Sequence, residues 1–550
     1  MTDDALGFHS LHLFLHCDTE QTDAFLTEDL APLLEDAEWF FIRYGEDGPQ
    51  LRVRVRGLSP GAAAELPVAL ARLAKERPAG NGPWPSEHAE VRAVPYVPET
   101  ERYGGPRALP VAEEVFVVSS RVAVQALRQI GERTSRLTIA ADACHATAFA
   151  LGLEPLAAAQ WLRRHASGWR WITDVSLLPG ELVHAKVNSV YAAQHRALVD
   201  RARALWAGLE QRTAAPWLND WAEQVRAADQ KLRGTVSEAG LLWVWGSQLH
   251  MLLNRLGVTP DEERAVCRLV ARTLLDAGEP PSFFPTGHRA PDRQYLERSK
   301  FQIGRPEDSA LRPLPPSPDS GSGDSSQAPA EIDLPAEPLP EVSLRAALTA
   351  RTSARGPLGG PLTAGQLGTL LWGSHAESHR TERQTADGGR HLLSHRPYPS
   401  AGALYTVRLR LIALDVAGLP AGTYQCVPLR RTLSPVGPAP SVEEIKPLSS
   451  YFTRASDDPD GIGVDRVPAL LGLYLDLGLL RRRYGLRALR LGLLEAGHLA
   501  QTLLLTAAAL GLATTPLGGF HDDLAHELFG LDDLDQPLQY LLPLGRLVQL

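Results

Sequence analysis

Three guanidiniums stand on alternate positions of the short stretch LRVRVRG, residues 51–57. If it is a strand, Leu51, Val53 and Val55 take one face and Arg52, Arg54 and Arg56 the other. Such a row is either a solvated face or a carboxylate clamp, because a guanidinium keeps its charge and grips a carboxylate with two hydrogen bonds. Two further stretches carry groups suited to the second use. VPETERYGG (97–105) contributes Arg102, with Glu99 and Glu101 able to hold arginines in place. LHMLLNRLG (249–257) contributes His250, Asn254 and Arg255, and His250 and Asn254 share a helix face at a spacing of four. An imidazole is suited to take a proton near neutral pH. Arg56 reads as a solvated strand end, Arg43 stays open between the two uses, and His145 beside Cys144 reads as structural. Spacing alone does not bring the three stretches together.

A second group of residues suits a phosphate and a flat ring. In ARTSARG (350–356), Arg351, Ser353 and Arg355 alternate near a helix end, a plausible phosphate nest. In RPYPSAGALY (396–405), Pro399-Ser400-Ala401-Gly402 is a tight loop of small residues that a planar ring can approach. TTPLGGF (514–520) holds Gly518 and Gly519, and LLPLGRL (541–547) holds Arg546 for a further phosphate contact. Each is weak by itself, since glycine-rich loops are usually turns. The pairs His375/His379 and His391/His395 have a spacing that can hold a metal on a helix. Their stretch is polar and glycine-interrupted, without a carboxylate or cysteine at supporting positions, so it reads as a substrate-facing loop and no metal is expected.

The elements that must position these groups follow from patterning. Residues 11–17, 39–44 and 51–57 read as strands, the last two joined by the turn Gly45-Glu46-Asp47-Gly48. EVFVVSSRVAVQAL (114–127) reads as strand passing into helix, and helical patterns dominate beyond it. Residues 306–340, rich in Pro, Ser, Gly and acids, read as a flexible linker. After it come a helix in SLRAALTARTS, a strand in TVRLRLIALDV, and a long apolar helix ending at Gly511 that is expected to be buried on every side. The fold expected is α+β: a sheet-plus-helices domain at 1–305, the linker at 306–340, and a second α+β domain at 341–550.

Composition is that of a globular protein, 44% hydrophobic and 22% charged over 550 residues. The net charge of −9 gives no reason to expect nucleic acid or a membrane as a partner. Only five of the 55 basic residues are lysine, so a lone arginine says little and only its placement is informative. Four scattered cysteines without a CxxC, an acidic polar N-terminus and no long apolar span point to a cytoplasmic protein with reduced thiols.

FFIRY…LRVRVRG, ETERYGG and HMLLNRLG, in that order, resemble the C-terminal, glutamate-eliminating domain of LanB-type lantibiotic dehydratases, which also occurs free-standing in thiopeptide gene clusters. The resemblance implies an active site of Arg52, Arg54, Arg102 and His250. It implies β-elimination of glutamate from a glutamylated serine of a precursor peptide, giving dehydroalanine, with a separate enzyme attaching the glutamate beforehand. The motifs after residue 341, with YGLRALRLGLLEAGHLAQ between them, resemble the nitroreductase superfamily, and within it the SagB-type azoline dehydrogenases. That implies FMN, with Arg351, Ser353, Arg355 and Arg546 toward its phosphate and ribityl chain, Pro399 and Ser400 against the ring, and Gly518 and Gly519 near its reactive edge. It also implies a homodimer through this domain and oxidation of thiazolines or oxazolines to azoles. Where such dehydrogenases often carry a Lys-Tyr pair, this chain has Arg483-Tyr484. Arginine cannot serve as a base, so Tyr484 acts alone, aided by its arginine neighbours, or the mechanism differs. The order of the two halves resembles the fused eliminase–dehydrogenases of lactazole-type thiopeptide biosynthesis. Alternatives are a pyridine synthase or a peptide-docking module for the first half, and a generic nitroreductase for the second.

Overall fold

The computed structural model describes residues 7–131, 134–172, 175–276, 291–300, 330–384, 390–454, 458 and 460–548. The chain divides into two units, Met1–Leu178 with Ala185–Ala277, and Pro179–His184 with Gly278–Leu550.

The first unit is built on an antiparallel sheet of four strands, β1 (His9–Phe14), β2 (Glu38–Tyr44), β3 (Gln50–Arg56) and β4 (Val91–Ala93), in the order β2-β3-β1-β4. Period-two alternation works as expected. Leu51, Val53 and Val55 join Trp39, Phe41, Leu11 and Leu13 in the core, and the three arginines take the other face. In register, Arg54 faces Phe40 on β2 and Ser10 on β1, and Arg52 faces His12. Helices Leu109–Leu127, Arg136–Ala150, Pro155–Gly168, Pro216–Leu232, Glu238–Arg255 and Pro260–Leu274 complete the core, with Trp217, Trp221 and Trp245 fully buried among them.

Residues 114–127 are helical throughout, against the expected strand-to-helix passage. Pro110 sits in the first turn, and Ala112, Val115, Phe116, Ser119, Val122, Ala123 and Ala126 recur at helical spacing on the buried side. The β-branched residues that suggested a strand fill that stripe, and packing overrides their weak propensity.

The second unit is an eight-stranded antiparallel sheet. The strands are β5 (Ile332–Asp333), β6 (Leu358–Gly359), β9 (Val407–Ala413), β10 (Gly422–Val427), β11 (Thr432–Gly437), β12 (Ala469–Leu475), β13 (Ala513–Thr514) and β14 (Leu538–Leu547), and β7 (His379–Gln384) with β8 (Arg390–His395) forms a separate hairpin. The path is β13-β14-β12-β9-β10-β11-β5, with β6 on β14. Leu471 and Leu473 of the wholly buried β12 pack toward helices Ala364–His375 and Ala488–Ala509, and Leu470 and Tyr474 toward helix Asp522–Phe529. The sheet is thus the middle of three layers.

Three expectations are corrected here. The stretch 375–395 is not a loop: His375 ends a helix, and β7 and β8 pair antiparallel with His379 opposite His395. Residues 385–389, between those strands, lie outside the described residues. The long helix Ala488–Ala509 is not covered on every side within one chain, since Leu493 and Leu494 are 47% and 61% exposed. Finally, the linker does not extend to 340. Residues 301–329 lie outside the described residues, but the segment from 330 is a strap on the second unit. β5 pairs with β11, Leu334 is buried, its carbonyl accepts from Trp372 Nε1 at 3.0 Å, and Thr369 Oγ1 holds Glu337 N at 2.7 Å. The strap crosses helix Ala364–His375 at glycines: a Cβ on Gly368 would lie 1.9 Å from the carbonyl oxygen of Pro335. Gly368→Val is therefore expected to lift the strap and cost about 1–3 kcal/mol of the second unit's stability. Urea denaturation of the purified chain checks this; an unchanged midpoint would show that the strap adds nothing.

Candidate functional site

Asn254 sets the geometry of the first site. Its Oδ1 accepts from the backbone N–H of Arg43 at 2.9 Å, and its Nδ2 donates to the carbonyl of Arg43 at 3.0 Å. The side chain so completes the free edge of β2 as another strand would, and fastens helix Glu238–Arg255 alongside the sheet. Arg43 adds to the joint, donating through Nε to the Arg255 carbonyl at 3.0 Å and through Nη2 to Asp23 at 2.5 Å. Arg43, left open by the sequence, is structural.

His250, four residues before Asn254, points to the next helix, Pro260–Leu274. Its Nδ1 is 2.9 Å from Oε2 of Glu263, while Oε1 of the same carboxylate takes the Nε2–H of His165 at 2.6 Å and the Trp169 Nε1–H at 3.1 Å. Glu263 is fully buried. Burial alone would raise its carboxyl, but the imidazoles of His250 and His165 outweigh that and hold it well below the usual carboxylate range. The same contact raises His165 against the effect of its own burial. An ionised Glu263 fixes the proton of neutral His250 on Nδ1 and leaves Nε2 as a lone pair facing away from the carboxylate. The ring is wedged against Trp169, centroids 4.8 Å apart at 72°. This is an imidazole held in one tautomer by a charged partner.

Arg102 lies on the same helix surface as His250, its Nε donating to Ser247 Oγ at 3.3 Å and its Nη1 to Glu99 at 2.9 Å. Glu99 also acts electrostatically on Arg54, which is 8% exposed, donates to the Arg52 carbonyl at 3.1 Å, and lies 5.5 Å from the centre of the Tyr96 ring and 5.8 Å from that of Phe40. Arg54, Glu99, Arg102, Ser247 and His250 thus form a linked set. Arg52 lies further along the strand, over the Tyr44 ring at 3.5 Å and paired with Glu46 at 2.7 Å. Burial, with Arg52 and Arg54 next, pushes His12 down to about 4, so this face keeps its neighbouring imidazole neutral. Arg56 pairs with Glu38 beside Phe8 at the strand end.

Glu263, His165 and Ser247 were missed by the sequence reading. Glu263 follows Asp261 and Glu262 in the first turn of a helix with a Thr259–Glu262 capping box, where acids are ordinary. The available signal was its period: Glu263, Cys267, Val270 and Thr273 recur on the buried face.

His145 is structural. It takes a hydrogen bond from Trp206 Nε1 at 3.2 Å, and burial pushes it down to about 4. The unfolded imidazole titrates near 6.5, so its contribution is intact above that pH and is lost as pH falls toward 4, up to about 3 kcal/mol. Wild type is expected to lose more stability than His145→Gln between pH 7 and 4.5 in urea titrations, and equal losses would contradict this.

In the second unit the residues expected to meet a flavin fall in two groups. Ser400 Oγ donates to Glu495 Oε2 at 2.6 Å and accepts from Tyr405 N–H at 2.8 Å, while Glu495 Oε1 accepts from Val407 N–H at 2.9 Å. Burial raises the Glu495 carboxyl, and these bonds oppose it. The 399–403 loop is thereby pinned to helix Ala488–Ala509. Gly402 takes φ +60°, and a Cβ there would lie 2.5 Å from the Tyr484 hydroxyl, so that hydroxyl sits directly over the loop. An open groove beside it is lined by Pro399, Ser400, Tyr398, Tyr405 and the stacked His379 and His395 rings. The other group surrounds Thr514–Thr515. Ala354 N–H donates to the Thr514 carbonyl at 3.0 Å, Arg355 Nη1 to Thr515 Oγ1 at 3.2 Å, and Arg546 Nη1 to the Gly511 carbonyl at 3.0 Å. Beside them lies a cavity of 300 Å³ whose lining includes Thr352, Ala354, Ala508 and Gly511 together with Leu504, Leu512 and Leu547. Arg351 ends helix Leu344–Ala350, Ser353 is exposed, and the expected Arg351, Ser353 and Arg355 alternate with Ala350, Thr352 and Ala354, which line the cavity in their place. Gly518 has open space around it, and the Gly519 carbonyl takes the Ser449 hydroxyl at 2.6 Å. Among the described residues no group of three or more His, Cys, Asp or Glu could hold a metal ion, and no helix is long and apolar enough to cross a membrane.

Residues 9–274 match the family described as lantibiotic biosynthesis dehydratase, C-terminal, and residues 348–546 match the nitroreductase family. The two matches follow one another along the chain, each over less than half of its 550 residues. Among curated proteins it is similar to the putative nitroreductase MJ1384 of Methanocaldococcus jannaschii, 27% identical over 221 residues, which is 40% of this chain and 98% of that protein. It is also similar to the microcin B17-processing protein McbC of Escherichia coli, 29% identical over 141 residues, 25% of this chain and about half (49%) of that protein. Among solved structures it is similar to TbtD, the pyridine synthase from thiomuracin biosynthesis, at 20% identity and a TM-score of 0.43, over 49% of this chain and 98% of that one.

Proposed function

We propose that the chain is a bifunctional enzyme of ribosomal-peptide maturation, of the kind that builds thiopeptides. Its first half eliminates glutamate from a glutamylated serine to leave dehydroalanine, and its second half oxidises thiazolines or oxazolines to azoles. The observation that carries the first reading is the Glu263-held imidazole of His250 on one helix surface with Arg102. The Cα–H bond of the serine breaks with its proton passing to His250 Nε2. The electron pair forms the Cα=Cβ bond, and the Cβ–O bond breaks to release glutamate as a carboxylate. Negative charge that grows on the departing carboxylate and on the enolate oxygen meets the guanidiniums of Arg54, Arg102 and Arg52.

For the second half, the similarity to the microcin B17-processing protein McbC supports a peptide substrate, and the azole product is what the resemblance of its motifs to azoline dehydrogenases implies. FMN is the cofactor of this reading: Arg351, Ser353, Arg355 and Arg546 are sequence neighbours of the residues that line the cavity, Ala350, Thr352, Ala354 and Leu547, and the Pro399–Gly402 loop is pinned through Ser400 to Glu495. FMN, when bound, supplies the acceptor for a hydride. The chain's own part is to hold the heterocycle at the 399–403 loop and to take the ring proton at the Tyr484 hydroxyl. Glu495 and Ala508, one in each group, are thirteen residues apart on one helix, about 20 Å along its axis. With Leu493 and Leu494 exposed on that helix, this spacing supports a homodimer in which two copies complete each flavin site. A precursor peptide and a separate glutamylating enzyme are the partners.

The test is mass spectrometry of a glutamylated, azoline-bearing precursor after incubation with the purified chain. Free glutamate with dehydroalanine, and loss of one hydrogen pair per heterocycle, are expected. A cycloaddition product without release of glutamate from the serine ester, or heterocycles left unoxidised by the flavin-loaded protein, overturns the corresponding half.

A further inference from the structure

The side chain of Arg255 is fully buried, and its Nε, Nη1 and Nη2 have no hydrogen-bond partner among the described residues. Its guanidinium lies 5.5 Å from the centre of the Phe116 ring, and the groups that act on it electrostatically are Tyr103, Arg54 and Tyr96, with no carboxylate among them. Burial lowers it to about 9, so it remains a cation at neutral pH. A buried cation without an anion is a cost that a fold does not retain by accident.

Its surroundings describe what is missing. Gln248, two turns earlier on the same helix, has a buried Oε1 without a partner. Arg54 Nε is buried and unpartnered, as is Oγ of Ser10, the residue opposite Arg54 on β1. The apolar cluster here is Phe40, Tyr103, Phe116 and Met251, with Tyr96 packed against it. Two guanidiniums with unspent donors beside aromatic and thioether walls match a carboxylate at the end of a short methylene chain.

We propose that Arg255, together with Arg54, is the receptor for the side-chain carboxylate of the glutamyl group, and so selects an acidic leaving group over its neutral amide. This deepens the elimination reading and rests on it. The ester group then stays with Arg102 and the serine Cα–H with His250, while the side-chain carboxylate of the glutamyl group turns inward between the rings. Arg255 is a specificity residue and takes no part in the proton transfer.

The test is calorimetric titration of the full chain with L-glutamate and with L-glutamine, beside melting curves with and without each, for wild type, Arg255→Met and Arg255→Lys. Wild type is expected to bind glutamate at least tenfold more tightly than glutamine and to melt higher in its presence. Arg255→Met is expected to weaken glutamate about 10- to 100-fold, to leave glutamine unchanged, and to melt higher than wild type without ligand, because it removes an uncompensated buried charge. Should Arg255→Met fail to fold, Arg255→Lys, which keeps the charge and loses the fork, is expected to reduce the preference for glutamate by at least tenfold. Glutamate affinity and preference unchanged in either variant, or a wild type that does not distinguish the two ligands, overturns the proposal. Because free glutamate is the probe, Arg255-dependent binding without turnover of a glutamylated peptide would sink the elimination reading and leave the receptor standing.

Discussion

His250→Ala is expected to lower the release of glutamate from a glutamylated precursor peptide by about 10²- to 10⁴-fold, the range of a positioned general base. The peptide should accumulate in its esterified form, which mass spectrometry distinguishes from both the free serine and the dehydroalanine. Glu263→Gln is expected to fall nearly as far, although Glu263 is buried away from any substrate. An amide in that place loses the charge that holds the proton on His250 Nδ1, and its own N–H group competes for the same contact, so the ring turns or shifts tautomer and Nε2 is no longer free. The stability of Glu263→Gln has its own sign: a depressed carboxyl contributes above the ordinary carboxylate range, a contribution lost only as pH falls through its lowered value, so the variant should be weaker than wild type at pH 7. Full elimination activity in either variant would mean that another group takes the serine proton, and the reading of this site would fall.

How far the site could be read from the chain depended on the distance over which each residue works. Arg54 and Arg102 announced themselves through strand alternation and a short motif, because charge placed on a period-two face is visible within a few residues. Asn254 was visible only as a helix neighbour of His250. Its work, completing the edge of a strand 211 positions away, is a long-range fact that no local window holds. Glu263 was hidden for another reason. Acids in the first turn of a helix are favoured by the helix dipole whatever their use, so the one that turns inward looks like the two that do not. The reading of 114–127 as strand passing into helix failed at its start because Val and Phe fit a buried helix stripe as well as a pleated surface. The loop reading of 375–395 failed because polar residues form a two-stranded hairpin as readily as a coil when cross-strand pairs such as His379 and His395 stack. The composition of 306–340 was read as uniform, yet a few residues near its end, Ile332 and Leu334 among them, find a sheet edge and a helix groove lined by glycines.

Tyr484→Phe is expected to lower azoline oxidation by about 10²-fold or more, with the amount of bound flavin unchanged. Tyr484 closes helix Leu477–Tyr484 and is partly buried against the core of the second unit, so its ring is held by packing that phenylalanine preserves. Only the hydroxyl is lost, and it is the hydroxyl that lies over Gly402 in the pinned loop. The neighbouring Arg483 carries a guanidine, a side chain that donates hydrogen bonds and does not serve as a base, so it cannot take the ring proton in its place. A second variant tests position rather than chemistry. Gly402→Ala puts a Cβ 2.5 Å from the hydroxyl and asks a residue other than glycine to hold φ +60°, so either Tyr484 or the loop must move. It is expected to slow oxidation with Tyr484 still present. Absorbance of the protein-bound flavin and mass spectrometry of the peptide give the two readouts together. If Tyr484→Phe retains its flavin and oxidises at the wild-type rate, the hydroxyl is a packing detail. The proton would then leave by another route, and the groove lined by His379 and His395 holds the other groups within reach of the same loop. If flavin is lost along with activity, Tyr484 supports cofactor binding, and the acid–base assignment must be withdrawn.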